Sequence, residues 1–298
     1  MKPQYLHLDP TMRDIAVEAA ESRIQRIRSD RWISYPRAER ALAECEELLN
    51  FPKRIRMPNL LVVGPTNNGK SAIIERFRRT HPPIEPSKTL DGIAYVPVLK
   101  VQMPAGPDER RFFGAILDAL GFPGMPSDSV TKRQDSAVRM LHAAGVTCLA
   151  IDEVHNLLSG SALQQRRILN LLRWLGNELQ IPLIAVGTAE ALHAIHSDDQ
   201  LANRFEPLGL PPWQDDEEFR NLLGTLEAVL PLRRRSDLAK AELARRILCA
   251  SEGILGEIVA IVTRAAVRAV RTGAERISAK IIEDCGFTSP SQRRHVEV

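Results

Sequence analysis

The chain has 298 residues, 44% of them hydrophobic and 26% charged, with a formal net charge of +3. That is enough apolar material for a real core and enough length for two domains, or for one large domain with an appendage. A balance so near neutral excludes neither nucleic acid nor protein partners, because clustering of basic residues decides that question. Aromatic residues make up only 5% of the chain, which leaves little for a platform on which single-stranded bases could stack. Cys45, Cys148, Cys249 and Cys285 are far apart and form no C-x-x-C pair, so neither a zinc site nor a disulfide framework is expected. Cys148 lies in an apolar run and reads as a small buried side chain. The opening Met1-Lys2-Pro3-Gln4-Tyr5 lacks the apolar region of a signal peptide, and no run approaches membrane-spanning length. A cytoplasmic protein without a membrane partner is expected.

Residues 1–56 read as an N-terminal helical extension. Pro10 to Asp14 resembles a helix start, and Ile15 through Ile27 carries apolar residues at helical spacing. Arg23, Arg26, Arg28 and Arg31 make this segment basic; they are either a solvated helix face or a contact for phosphates or an acidic partner. Tyr35-Pro36-Arg37 begins a second helix, Ala38 to Leu49, which Phe51-Pro52 ends.

The next stretch, residues 57–212, alternates strands and helices. Asn59 to Val63 is a buried strand, and Ala72 to Phe77 begins a helix. Between them Gly64-Pro65-Thr66-Asn67-Asn68-Gly69-Lys70-Ser71 fits G-x-x-x-x-G-K-[ST], the phosphate-binding loop of a nucleoside triphosphatase. Strand, glycine loop and helix are what the chemistry requires. The glycines let backbone amides turn toward phosphate oxygens, and the helix N-terminus adds its dipole. Lys70 should reach the β- and γ-phosphates of ATP, and the Ser71 hydroxyl should ligate magnesium. The bland alternative is a glycine turn with a solvated lysine.

Further on, Ile93 to Gln102 is a strand, Arg111 to Leu120 and Thr131 to Ala144 are helices, and Val146 to Ile151 is a short apolar strand. Ala162 to Leu179 is a long helix, Ile184 to Val186 a strand, and Phe205 to Leu210 a candidate fifth strand. Continuously apolar strands alternating with helices indicate an α/β fold, a parallel sheet covered by helices. Pro211-Pro212 breaks the pattern. Residues 213–288 read as an all-helical lid: Asp215 to Val229, Ser236 to Ala250, Leu255 to Arg271 and Ser278 to Asp284. Residues 289–298 read as a polar, mobile tail.

The strand ending in Asp152-Glu153 supplies the second half of the site. Side chains at the C-terminal edge of a parallel sheet lie in the ligand crevice. Asp152 should hold magnesium, directly or through water, and Glu153 is placed to polarise the attacking water. His155 reads as a hydrogen-bonded structural group. Thr188, at the end of Ile184-Ala185-Val186-Gly187, either senses the γ-phosphate or caps the following helix. Arg204 precedes the fifth strand; it is either a surface arginine or one that enters a neighbouring subunit's nucleotide site.

These landmarks, in this order, resemble the AAA+ ATPases, and more closely the TniB family of transposition-helper ATPases, relatives of TnsC and MuB. The resemblance rests on Gly64–Ser71, on Asp152-Glu153-Val154-His155-Asn156, on Val186-Gly187-Thr188, on Asn203-Arg204-Phe205 and on Val101 to Asp108 after the second strand. It implies an ATP- and magnesium-dependent regulator that oligomerises as a ring or filament on double-stranded DNA and directs a DDE transposase, with a TniQ-like targeting protein as a further partner. It implies DNA contact by Lys100, Gln102 and Met103 and by Lys132 and Arg133. Such contacts would fall on the phosphate backbone and carry little sequence information. One departure stands out. Many AAA+ lids place a sensor arginine after a glycine turn, but Ser251 to Ile258 contains none and the next is Arg264. A slow, partner-stimulated ATPase is therefore expected. The alternatives are a helicase-loader-like or signalling ATPase acting on a protein, and a metabolic kinase.

Overall fold

Five short apolar runs form the sheet of this computed structural model, which describes residues 5–85, 88 and 94–294. They are β1 (Asn59–Val63), β2 (Val98–Gln102), β3 (Cys148–Asp152), β4 (Leu183–Gly187) and β5 (Phe205–Gly209). All pair in parallel, in the order β2-β3-β4-β1-β5. β3 and β4 are buried at every position, as strands covered on both faces must be. Asn59 is polar yet only 4% exposed, and its bonds explain why: its amide donates to the Arg204 carbonyl and its Oδ1 accepts from Leu183 N at 2.9 Å. One side chain thus ties the start of β1 to β4, and one backbone amide ties it to the segment before β5.

The helices flanking the sheet are Lys70–Thr80, Glu109–Ala119, Val130–Ala143, Ala162–Leu179, Ala189–His196 and the single turn Asp199–Ala202. Asp108 and Ser129 cap the second and third, accepting from Arg111 N and Lys132 N. Ser161 and Gln164 form a capping box, which fixes the start of Ala162–Leu179 where its sequence pattern puts it. Phe77, Phe112 and Phe113 on the helices and Phe205 of β5 are fully buried; burying each contributes about 1.5–3 kcal/mol.

β2 is shorter than its apolar pattern. It starts at Val98 because Pro97 has no N–H for the ladder; the Pro97 carbonyl instead accepts from Thr147 N and Cys148 N. Ile93, where the sequence places the strand's start, lies outside the described residues.

The chain packs as two units, each with its own interior. The sheet unit comprises Arg37–Thr66 and Lys70–Leu210. The helical unit comprises the chain up to Pro36, the short piece Asn67–Gly69, and the chain from Pro211 onward. Its principal helices are Glu217–Ala228, Ala241–Ser251 and Leu255–Arg271, with short turns at Ala279–Glu283 and Pro290–Arg294. Leu255–Arg271 buries one apolar face along its whole length, through Ile258, Ile261, Val262, Ala265 and Ala269.

Three expectations change in this unit. The N-terminal helical pattern is split into Pro10–Arg13, a 3-10 turn at Ile15–Val17, and Ala20–Arg28, because Glu18 and Ala19 are extended. The break lets Leu8, Met12 and Ala16 form one apolar cluster while Ile24 and Ile27 are buried separately. Second, the basic residues of this segment are not one solvated face. Arg23 is 2% exposed, with a bidentate ion pair to Glu275 at 2.6 and 2.7 Å and a bond to Pro231 O; Arg31 donates to Val229 O and Ile27 O. Arg26 and Arg28 are exposed. Third, the tail is held as far as Arg294. Ser291 N donates to Glu252 Oε1 at 2.8 Å, and Arg293 pairs with Glu257.

Candidate nucleotide site

The loop after β1 closes sharply, and its glycines are required by space and by backbone conformation. A Cβ on Gly64 would lie 2.6 Å from the Leu210 carbonyl oxygen. Gly69 is left-handed at φ +84°, as is Asn67 at +61°. Residues of alternating hand make the kind of backbone concavity that holds anions. Lys70 and Ser71 open the following helix, whose N-terminus faces the same turn of chain.

Lys70 is buried at 7% exposure, and its Nζ donates to Gly64 O at 2.8 Å and Pro65 O at 2.6 Å. Burial pushes its pKa below the usual lysine value, opposed by the Glu153 and Asp152 carboxylates. The two acids predicted to complete the site lie at the end of β3, on the same edge of the parallel sheet as the end of β1. An ammonium parked on two loop carbonyls gives up those bonds readily to phosphate oxygens, which are charged acceptors.

Asp152 ends β3 and is 6% exposed. Its Oδ1 accepts from Glu153 N at 2.9 Å, and its Oδ2 pairs with Lys100 Nζ at 3.2 Å. Glu153 adopts the left-handed region at φ +56°, a conformation that costs of order 1 kcal/mol for a non-glycine residue and clusters at functional sites. Its Oε2 lies 3.0 Å from His155 Nε2. The other ring nitrogen of His155 is buried with no hydrogen-bond partner, so His155 bonds through Nε2 alone. Asn156 Nδ2 donates to Met103 O and Asp152 O accepts from Met103 N, which fixes the β2 and β3 ends together.

Thr188 is half-buried at the end of β4. It occupies the N-cap position of Ala189–His196, yet its hydroxyl makes no capping bond. The neighbouring Thr188 hydroxyl, ahead of the Glu190 amide, holds the Glu190 carboxyl below the usual range. Arg204 sits at the opposite end of the sheet. Its backbone carbonyl accepts from Asn59, its Nη1 donates to Asn177 Oδ1 at 2.7 Å, and it adjoins the start of β5, whereas Gly64 follows the end of β1. Five residues of strand lie between the two positions, which puts them about 20 Å apart. Arg204 therefore does not converge on its own chain's phosphate loop.

The residues assigned to DNA are placed unevenly. Gln102 is exposed. Met103 is 1% exposed within the core and has no surface to offer a duplex, and Lys100 is engaged by Asp152. Lys132 is exposed and pairs with Asp128; Arg133 donates to Met125 O at 2.9 Å. In the helical unit, Asn67 and Asn68 bond to the start of Leu255–Arg271: Gly256 N donates to Asn67 O, Leu255 N to Asn68 Oδ1, and Asn67 Nδ2 to Glu257 Oε1. Arg264 donates to Gly286 O and lies over the Phe287 ring. Among the described residues no group of three or more His, Cys, Asp and Glu side chains forms a metal site, and no helix is long and apolar enough to cross a membrane.

A family model described as "Bacterial TniB protein" matches residues 23–215, well over half of the chain. No curated protein sequence matches. Among solved structures, the chain is similar to Cdc6p from Pyrobaculum aerophilum, with a TM-score of 0.62 at 17% identity, covering 87% of this chain and 69% of that one. It is also similar to the Aeropyrum pernix ORC2 protein, solved as ADPNP–ADP complexes, with a TM-score of 0.57 at 15% identity and coverage of 88% and 71%. A third is Drosophila ORC bound to DNA, with a TM-score of 0.57 at 15% identity and coverage of 91% and 66%. At such identities the likeness establishes the AAA+ fold.

Proposed function

The chain belongs to the bacterial TniB family of AAA+ ATPases, and from that premise we propose that it is an ATP-hydrolysing regulator of DNA transposition that assembles on double-stranded DNA and engages a DDE transposase. The observation that carries the enzymatic part is the parallel register, in which β1, leading into the Lys70 loop, and β3, ending in Asp152 ahead of Glu153, finish on the same edge of the sheet. Lys70 binds the β- and γ-phosphates. Glu153 orients water and takes its proton as the water oxygen bonds to the terminal phosphorus. The bond from that phosphorus to the β–γ bridging oxygen breaks, leaving ADP and phosphate. Ser71 and Asp152 offer the hard oxygen donors that suit magnesium, which would neutralise phosphate charge when bound. Thr188 follows the end of β4 with no capping bond and would sense the terminal phosphate from there.

Arg204 cannot serve its own loop across the length of the sheet, so its catalytic role requires a second copy of the chain. This makes nucleotide a switch for assembly. DNA contact is supported by the family and by neighbours solved with DNA; within the chain it rests on Gln102, Lys132 and Arg133. The test is duplex binding with a slowly hydrolysed ATP analogue, with ADP and without nucleotide, across a salt series. Analogue-dependent, salt-sensitive binding with little sequence preference is expected; binding that ignores nucleotide would refute the proposal. The burial of Met103 and the Lys100–Asp152 pair favour the second reading, an ATPase that acts mainly on a protein partner. A stable complex with a replicative helicase, and no assembly on duplex DNA, would establish it.

A further inference from the structure

His155 lies two residues after Glu153, where β3 gives way to the 3-10 turn Val154–Ser159. Residues two apart on a helix do not face each other. The left-handed backbone of Glu153, at φ +56° and ψ +37°, breaks the helical path and brings the two side chains together, with His155 Nε2 3.0 Å from Glu153 Oε2. That is within hydrogen-bond reach. An ionised carboxylate only accepts, so Nε2 carries the hydrogen and Nδ1 is the bare nitrogen. Nδ1 is buried and has no partner. A histidine kept for packing would satisfy its buried nitrogen; this one leaves it unpaired and spends the open one on Glu153. The two side chains are 30% and 37% exposed, and so open a pair adds little to stability. Stability therefore does not account for the arrangement.

The main chain around the pair is fixed independently. Glu153 N donates to Asp152 Oδ1 at 2.9 Å, Glu153 O accepts from Asn156 N at 2.9 Å, and Asn156 Nδ2 donates to Met103 O. The freedom left to Glu153 is in its side chain, and among the described residues only His155 comes within ion-pair distance of its carboxylate. His155 is also seated against β4: a Cβ on Gly187 would lie 3.6 Å from His155 N. It thus stands between the ends of β3 and β4, on the edge that carries Glu153 and Thr188. We propose that His155 is a positioning residue for hydrolysis, whose Nε2–H holds Oε2 of Glu153 so that Oε1 is left to take the proton of the attacking water. The proposal rests on the reading of Glu153 as the base and adds the group that aims it. Without that hold the carboxylate turns about its side-chain bonds, and water is activated less often while ATP is bound as before.

Three replacements of His155 separate aiming from packing. The side-chain nitrogen of glutamine reaches the place of Nε2, that of asparagine reaches the place of Nδ1, and phenylalanine keeps a ring without a donor. His155→Phe should lower kcat by up to about 10²-fold, the cost of a misplacement of about 1 Å, with KM for ATP, equilibrium ATP binding and melting temperature close to wild type. His155→Gln should recover most of the turnover and His155→Asn should not. A packing role would treat Gln and Asn alike and would lower the melting temperature. The same changes are then made in Glu153→Gln, where His155→Phe should cost no further turnover because the group it acts through is gone. Equal fold losses in both backgrounds would overturn the proposal. So would a rise in KM that matches the fall in kcat, or recovery by Asn and not by Gln. The two readings fail separately. Normal turnover in Glu153→Gln removes the base itself, whereas a large loss there with wild-type turnover in His155→Phe removes only the hold.

Discussion

Replacing Arg23 by Met should unfold the helical unit far more easily than a change on a basic surface segment would. Arg23 is 2% exposed, and its side-chain bonds run to Glu275 Oε1 at 2.6 Å, Glu275 Oε2 at 2.7 Å and Pro231 O at 3.1 Å. Glu275, itself left-handed at φ +57°, would keep only Arg233 N at 3.3 Å as a donor. Removing one member of a buried pair strands the other charge, which costs about 3–5 kcal/mol. Replacing both, as Arg23→Met/Glu275→Met, removes the stranded charge and should return most of that loss. The single changes should therefore be strongly non-additive. Urea unfolding followed by circular dichroism and tryptophan fluorescence measures the cycle. The pH dependence has a definite sign. Burial raises the Glu275 pKa, but the Arg23 and Arg233 contacts outweigh it and hold the carboxyl below the usual glutamate value. Stability from this pair is thus present above the unfolded value, near 4.3, and is lost as pH falls through the folded value. The gap between wild type and Arg23→Met should close in acid. Additivity of the single changes within about 0.5 kcal/mol would show that the pair is not coupled and would refute the reasoning.

Glu153→Gln keeps the size and the left-handed backbone but removes the base, so turnover should fall about 10²- to 10⁴-fold while equilibrium ATP binding persists; unchanged phosphate release would exclude Glu153 as the residue that activates water. Gly64→Ala forces a Cβ to 2.6 Å from the Leu210 carbonyl, and backbone must move to relieve it; ATP binding should be lost or the melting temperature lowered, and a variant with normal binding and melting would contradict the observed packing. Thiol labelling of the native protein should reach exposed Cys249 and spare Cys45 and Cys148. Burial pushes the Cys45 thiol up to about 12 and raises Cys148 well above its usual value, so labelling of either by iodoacetamide at pH 7, without denaturant, would show that the sheet unit opens.

The sheet was legible because its strands are apolar throughout and its turns are punctuated by Gly, Pro and acidic residues. Asn59–Val63 and Ala162–Leu179 begin and end where pattern and capping residues put them. The pairing of Lys100 with Asp152 was not legible, since it depends on β2 and β3 lying side by side with Gln102 opposite Asp152. Nothing local distinguishes Arg23 from Arg26 either. They are three residues apart on one helix, and only the arrival of Glu275, some 250 positions later, decides that Arg23 is the buried one. Arg56 belongs to the same class. Nothing in Lys53-Arg54-Ile55-Arg56 points to Arg204, and only the parallel pairing of β1 with β5 brings Arg56 to it.

The start of Leu255–Arg271 shows how a missing cap can be offset by a different contact. Ile254 precedes Leu255–Arg271 and supplies no side-chain cap, so the first amides of that helix need other acceptors. Asn68 Oδ1 and the Asn67 carbonyl provide them. Asn67 Nδ2 in turn reaches Glu257, a carboxylate only 9% exposed that is neutralised by Arg293 from the final helical turn. Within the helical unit, hydrogen bonds rather than charge tie Asn67 and Asn68 to the start of Leu255–Arg271. Arg264 is committed elsewhere, to Gly286 and Phe287. Any change in the backbone of residues 67–69 would alter the capping of Leu255–Arg271 at the same time. The linkage extends through Glu257 to Arg293, so the C-terminal segment belongs to the folded unit that holds residues 67–69.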